Sequence, residues 1–273
     1  MPQPQVKKRN ATGAGTSTTM EPPSTTSTSK RGPTLTWHEA AEWQRDSKYI
    51  LSGYRREKAD YLEILTSLTF LHNETCNVYT HLIGAVLLPL IATTILRGLS
   101  QSQFSVVSGT DYTMFGIFFW SAEFCLLFST AFHLLGAHSR EVEHFWHRMD
   151  LLGIVIVIIS GSSTAALICI PVFSTLRWRK LYGLEYMTQY SGMNWYLLEL
   201  AIYGSGTTLY ALRIPERFAP GKFDIWCSSH QIFHVCILCA MYIHTFGLMQ
   251  AFTACHTLDI CKIQAAHKAG QRS

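Results

Sequence analysis

The sequence predicts an all-α fold: a polytopic transmembrane helix bundle of five spans behind a disordered N-terminal tail. Three observations carry this. Charged residues make up only 15% of the 273, against about 25% in an average soluble domain. Hydrophobic residues reach 48% although the first 36 positions hold few of them. Beyond residue 77, five stretches are long enough to cross about 30 Å of hydrocarbon at roughly 20 residues each.

Residues 1–36 hold thirteen Ser or Thr and five of the nine prolines. Such a segment buries too little apolar surface to offset its conformational entropy, so disorder is expected. It also lacks the apolar run of a signal peptide. Residues 37–76 read as a juxtamembrane segment, aromatic but charged, and Tyr61–His72 within it as an interfacial amphipathic helix. The bundle proper occupies 77–252, with spans Val78–Leu96, Tyr112–Leu135, Leu151–Phe173, Met193–Leu212 and His230–Phe252. A short tail, 253–273, follows. The third span is uncharged, while the second and fourth each carry one acid, Glu123 and Glu199.

Flanking Lys and Arg set orientation. The head, the segment with Arg140 and Arg148, and the segment Arg213–Lys222 fall on one side of five alternating spans. That side is expected to be cytoplasmic, with the N-terminus inside, in the plasma membrane or endoplasmic reticulum. The stretch Arg177-Trp-Arg-Lys180 breaks the rule. The net charge of +4 is accounted for by five basic residues against Glu21 in the head. No basic stripe interleaved with aromatics remains, so nucleic-acid binding is not expected. The eight cysteines follow no zinc-finger spacing, and the C-x-x-C of Cys236 and Cys239 sits mid-span, where Cys behaves as a small hydrophobe.

Ionisable groups within a membrane are costly and are functional candidates by default. His230 and His234, at i and i+4, share one face of the last span. That spacing lets both imidazoles grip one metal ion, yet it equally fits two interfacial histidines bonded to loops. Ser129 and His133 share a face at the end of the second span. Asp150 opens the third, either as an interface anchor or as a site residue. Topology puts His133, Asp150 and His230 at one level. Three imidazoles with a carboxylate, acting directly or through water, fit a tetrahedral zinc site that keeps an open position. The expected metal is therefore zinc, held by His133, His230 and His234. Of the other histidines, His81 and His244 are expected to be satisfied core groups. His138, His144 and His147 are expected in a solvated loop. Glu123 and Glu199 either line a polar cavity or bond to neighbouring helices.

The segments Asn73–Gly84, Ser129-x-x-x-His133, Asp150, and Ile214–Trp226 running into Ser229–His234 resemble the adiponectin receptor and haemolysin-III group, the progestin and adipoQ receptor family, in a fungal form. The resemblance covers roughly residues 37–250. It implies three histidine ligands on zinc, a carboxylate at Asp150 reaching the ion through water, and Ser129 beside the site. It also implies a lipid-filled cavity for a ceramide, fatty acid or sterol-like ligand. The implied activity is a slow ceramidase-like hydrolysis with Asp150 and Ser129 as catalytic residues, in lipid, sterol and zinc homeostasis. A receptor with a purely structural zinc and a cytoplasmic signalling partner is the alternative, as is a non-functional truncated product. The family has seven spans; the fourth and most of the fifth are missing here, which would explain the misplaced Arg177–Lys180 stretch.

Overall fold

The computed structural model describes residues 32–101, 104, 107–178 and 184–257. Most of the expected disordered head, and the tail from residue 258, lie outside the described residues. The end of that head is nevertheless paired. Strand β1 (Thr34–Leu35) runs antiparallel to β2 (Tyr54–Arg55), with Thr34 opposite Arg55. Hydrogen bonding to β2 fixes these residues despite their polar composition.

Among the described residues seven α-helices follow: α1 (Tyr61–Thr66), α2 (Thr75–Leu99), α3 (Gly109–Leu135), α4 (Arg140–Trp178), α5 (Leu184–Ser191), α6 (Met193–Leu212) and α7 (Ser229–Thr257). The bundle is polytopic and helical, as the sequence requires. Each expected span lies inside one of α2, α3, α4, α6 and α7. Among the described residues, four helices are both long and apolar enough to cross a membrane: α2, α3, the Arg140–Leu167 part of α4, and α7. At 20 residues α6 has the length, but Asn194, Glu199, Ser205, Thr207 and Thr208 dilute its apolarity. The interfacial helix is shorter than Tyr61–His72: α1 ends at Thr66 and a 3-10 turn covers Ser67–Thr69. Asp60 starts α1 by accepting the Leu62 N–H at 2.8 Å.

The packing is that of a bundle made for lipid. Val86, Leu90, Trp120, Ile159 and Leu200 are exposed outward, where hydrocarbon solvates them as well as protein would. Inside, Phe115, Phe118 and Phe119 of α3 meet Leu248, Ala251 and Phe252 of α7 and Leu99 of α2. Small residues allow close crossings. A Cβ on Gly153 would lie 2.9 Å from the Cys125 Cα, and one on Gly206 would lie 2.7 Å from the Cys236 Cβ. These positions hold α4 against α3 and α6 against α7. Cys236 and Cys239 are free thiols.

The starts of α2, α4 and α7 and the ends of α3 and α6 converge at one end of the bundle. At the opposite end α5 links α4 to α6. There Gln250 fixes the chain, its amide donating to the Thr188 and Gln189 carbonyls at 2.8 and 2.6 Å and accepting the Trp195 indole N–H at 2.7 Å. Between these ends α4 and α6 barely touch over the described residues, which leaves a cleft in the bundle wall.

Candidate metal centre

Two buried charges aim the histidine-bearing helix ends. The Glu216 carboxylate, 1% exposed, accepts the Ser229 N–H at 2.8 Å and the Ser229 hydroxyl. A carboxylate at a helix N-terminus meets the positive end of the dipole, so α7 starts at Ser229 and carries His230 and His234 round one face. Arg55 does the converse at the C-terminus of α3. Its guanidinium donates to the His133 carbonyl, to the Leu134 carbonyl at 2.7 Å and to the Ser67 hydroxyl at 3.2 Å. Burial lowers the Arg55 pKa to about 10, against the raising influence of the Glu74 charge; at neutral pH it remains a cation.

The structure brings the three predicted ligands together. Ring centroids of His133, His230 and His234 form a nearly equilateral triangle with sides of 4.9, 4.8 and 4.9 Å, and their ligand nitrogens lie within 4.8 Å of one another. Each imidazole has a partner on Nδ1. The Glu74 Oε2 lies 2.7 Å from His133 Nδ1. The Thr80 hydroxyl lies 3.3 Å from His234 Nδ1. Since that hydroxyl donates to the Cys76 carbonyl at 2.7 Å, its oxygen accepts from the ring and Nδ1 carries the proton. Asp46 Oδ2 stands at ion-pair distance, 3.7 Å, from His230 Nδ1 and is gripped by Arg213 at 2.6 and 3.0 Å.

The two carboxylate partners are ionised. Burial alone would raise the Glu74 carboxyl, but the His133 hydrogen bond, the charges of His133 and His230, and the Asn77 amide hold it down at about 2. Asp46 is likewise held below the usual carboxylate range: burial opposes, and His230 and Arg213 prevail.

Asp150 lines the same cavity of about 300 Å³ as Asp46, Glu74, His133 and His230. The Ser129 hydroxyl faces Asp150 but lies outside hydrogen-bond geometry, buried without a partner among the described residues. His81 differs from expectation. Its ring stacks on His234 at 3.8 Å and 8°, and both its nitrogens are buried without a hydrogen-bond partner among the described residues. The expected solvated loop before Asp150 is also revised. α4 starts at Arg140, so His144 and His147 stand on a helix, half-exposed beside Glu143. Only His138 precedes it.

The donor set fits a zinc ion. His133 Nε2 is buried with no partner among the described residues, and the Glu74 contact at Nδ1 leaves its lone pair free for a ligand bond. Zinc–nitrogen bonds of about 2.0–2.1 Å in a tetrahedron place nitrogens about 3.3 Å apart, within reach of small side-chain rotations. The three histidines are legible in the sequence, but the groups that support them are not. Glu74 lies within the segment Asn73–Gly84, and its place just before the first span, at the depth of His133, is a usable signal. Asp46 has none: it meets Arg213 across 167 residues of chain.

Comparison with known proteins follows the same residues. The pattern of a family described as haemolysin-III related matches residues 69–171 and 162–245. The two stretches overlap inside α4. The ADIPOR-like receptor IZH2 of Saccharomyces cerevisiae is 30% identical over 269 residues, covering 81% of this chain and 84% of the relative. The heptahelical transmembrane protein 1 of Arabidopsis thaliana is 29% identical, covering 80% of each. The adiponectin receptor protein of Drosophila melanogaster is 30% identical, and this chain spans 57% of its length.

Proposed function

The chain belongs to the haemolysin-III related family, and from that premise we propose that it is a membrane zinc protein that hydrolyses a lipid amide. One observation supports this above the others. The partnerless His133 Nε2 belongs to a three-histidine cluster, and the cluster shares its cavity with the carboxylate of Asp150. His133, His230 and His234 hold the ion. Zinc, when bound, supplies a Lewis acid and a nucleophile at neutral pH. Asp150 takes the proton from the attacking water and passes it to the leaving amine. The Ser129 hydroxyl, free of other partners, donates to the oxygen that gains charge. Glu74 and Thr80 keep Nδ1–H on His133 and His234, so that Nε2 faces the ion. The site end lies at the cytoplasmic face, where the flanking basic residues fall.

The test is metal analysis of the purified protein together with lipid-amide turnover before and after chelation. About one zinc per chain and chelator-sensitive turnover are expected. Asp150→Ala should lower turnover by about 10²–10⁴-fold and leave zinc content unchanged. Equal loss of both would make Asp150 a direct ligand; unchanged turnover would make it an interface anchor.

A second reading, a receptor with structural zinc, draws on one feature. Residues 46–55 touch both halves of the site, through Asp46 at His230 and Arg55 at the His133 carbonyl. A cytoplasmic partner pulling on this segment would act on the ligands. Zinc content without any lipid-amide turnover would favour it.

A further inference from the structure

The chain between β2 and α2 builds a cavity on the outside of the bundle, apart from the metal centre. After β2 the backbone N–H of Lys58 donates to the Ala137 carbonyl at 3.0 Å. α1 follows, and the Tyr79 hydroxyl of α2 donates to the Leu68 carbonyl at 2.8 Å, which ties the turn after α1 to the start of a span. The cavity enclosed by these segments has a volume of about 270 Å³, the liquid share of roughly nine waters. Three cations line it, Arg55, Arg56 and Lys58, against one acid, Glu63. Glu57 and Asp60 are not among its walls, and the Asp60 carboxylate is engaged by the Leu62 N–H.

The three cations differ in what they hold. Arg55 is buried and uses its fork on the His133 and Leu134 carbonyls and the Ser67 hydroxyl, so it adds charge alone. Lys58 Nζ meets Glu63 Oε2 at 2.6 Å with both side chains about half exposed, a pair that water screens and a stronger acceptor displaces. Arg56 is half-buried, and among the described residues its guanidinium has no hydrogen-bond or ion-pair partner. A planar group of five donors without an acceptor suits a phosphate, which arginine grips with two parallel bonds. Depth narrows the occupant further. Ala137 lies two residues beyond the end of α3 at Leu135, so the cavity stands where a span ends and headgroups begin. Beside it Tyr61, Leu62, Leu65 and Leu71 face outward, Leu62 with 71% of its surface exposed. Apolar side chains so placed are solvated by the upper part of the acyl chains. The head that precedes Pro33 is a poor occupant, since its five basic residues against Glu21 are repelled by the cations.

We propose that this cavity is a headgroup site for an anionic phospholipid of the surrounding leaflet. Its phosphate sits in the fork of Arg56 with Lys58 as second contact, and its acyl chains run down past Leu62 and Leu65, which share a face of α1. A zwitterionic lipid is disfavoured, because its own cation meets an excess of positive charge. The site goes beyond the proposed function and asks nothing of the three-histidine cluster.

The experiment places the full chain in phosphatidylcholine nanodiscs that contain a minor fraction of phosphatidic acid or phosphatidylglycerol, and native mass spectrometry counts the lipids retained after release. An anionic lipid should be retained at least about tenfold over phosphatidylcholine, the effect of one hydrogen-bonded charge pair. Arg56→Gln should lower that preference by a similar factor. Lys222→Gln, which removes an exposed cation outside the cavity, should leave it unchanged. If Arg56→Gln does not fold, Thr66→Glu puts a carboxylate on the cavity wall and should abolish retention by repulsion. Four results would overturn the proposal: retention of phosphatidylcholine equal to both anionic lipids, an equal loss in Lys222→Gln, which would mean diffuse surface charge, retention unchanged in both Arg56→Gln and Thr66→Glu, or displacement of the lipid by soluble glycerol 3-phosphate at like concentration. Arg55 is left intact in every variant, so zinc content should not change. Because zinc is measured on the same samples, failure of the metal reading is seen separately.

Discussion

The two polar centres of this bundle, the three-histidine cluster at one end and the His244–Glu199 pair at mid-depth, are built from different materials. Each cluster histidine leans on a group from the start of a helix or the segment before it: Glu74 for His133, Thr80 for His234, Asp46 for His230. Non-helical chain supplies much of this support, including Arg55, Asp46, Arg213 and Glu216. Among the described residues His244 has helix side chains around it: Glu199, Phe118 and Tyr196. The difference follows from the solvent. Irregular backbone is not tolerated in hydrocarbon, so a mid-depth centre must be assembled from helix faces. A centre at the bundle's end recruits loops and charges from far along the chain. The end is therefore suited to a preorganised metal site, the middle to a single hydrogen-bonding anchor.

Four variants test this contrast. Replacing His230 and His234 together with Ala removes two of three ligands, so zinc retention should be abolished. Metal analysis showing undiminished zinc would remove the cluster from consideration. Arg55→Met leaves the last carbonyls of α3 without their buried donor, each such group costing about 1–3 kcal/mol. The melting temperature should fall clearly, with the ligand cluster loosened. Retention of full stability would mean that water replaces the guanidinium.

Glu74→Gln keeps the shape of the side chain and weakens its hold on the His133 ring. Zinc affinity should drop by about 10–100-fold, read by chelator competition. The same carboxyl gives a pH signature in the metal-free protein. Its folded pKa, about 2, is below the ordinary 4.5. The stabilisation it contributes is therefore complete above about 4.5 and lost as pH falls toward 2. Wild type and Glu74→Gln should differ in melting temperature near neutrality and converge in acid. A constant difference would assign the effect to another group. The smallest change is expected from Asp46→Asn. Its side chain is 48% exposed, so solvent screens its pairing with Arg213, and less than about 1 kcal/mol of stability should be lost. Added salt should erase the difference; a loss that persists in high salt would show that Asp46 acts mainly through His230.

The wall between α4 and α6 bears on the family comparison. The sequence reading places two absent spans after the third, and the family match arrives in two stretches that meet inside α4. A break of that kind is what a chain lacking an internal part of the pattern gives. α4 runs on to Trp178 and α5 precedes α6, so the described helices keep their alternation. The three histidines consequently stay at one end.

Composition and periodicity determined much of this protein. Each apolar run falls inside one helix, because hydrocarbon thickness dictates length, though α4 begins at Arg140, well before its run at Leu151. The i, i+4 histidines and the alternation of spans brought His133, Asp150, His230 and His234 to one level, because a helix in a membrane has few ways to run. The sequence also pointed to a family through local blocks such as Ser229–His234. It did not reveal what touches what. His81 reads as a satisfied core group, yet it stacks unbonded on His234. His144 and His147 read as loop residues, yet they belong to the first turns of α4. The pairings of Asp46 with Arg213, Glu74 with His133 and Glu199 with His244 join residues 45–167 positions apart. Hydropathy and local propensity are properties of neighbours in the chain. Which carboxylate meets which imidazole is decided by helix rotation and close crossings such as Gly153 on Cys125, which exist only once the bundle has packed.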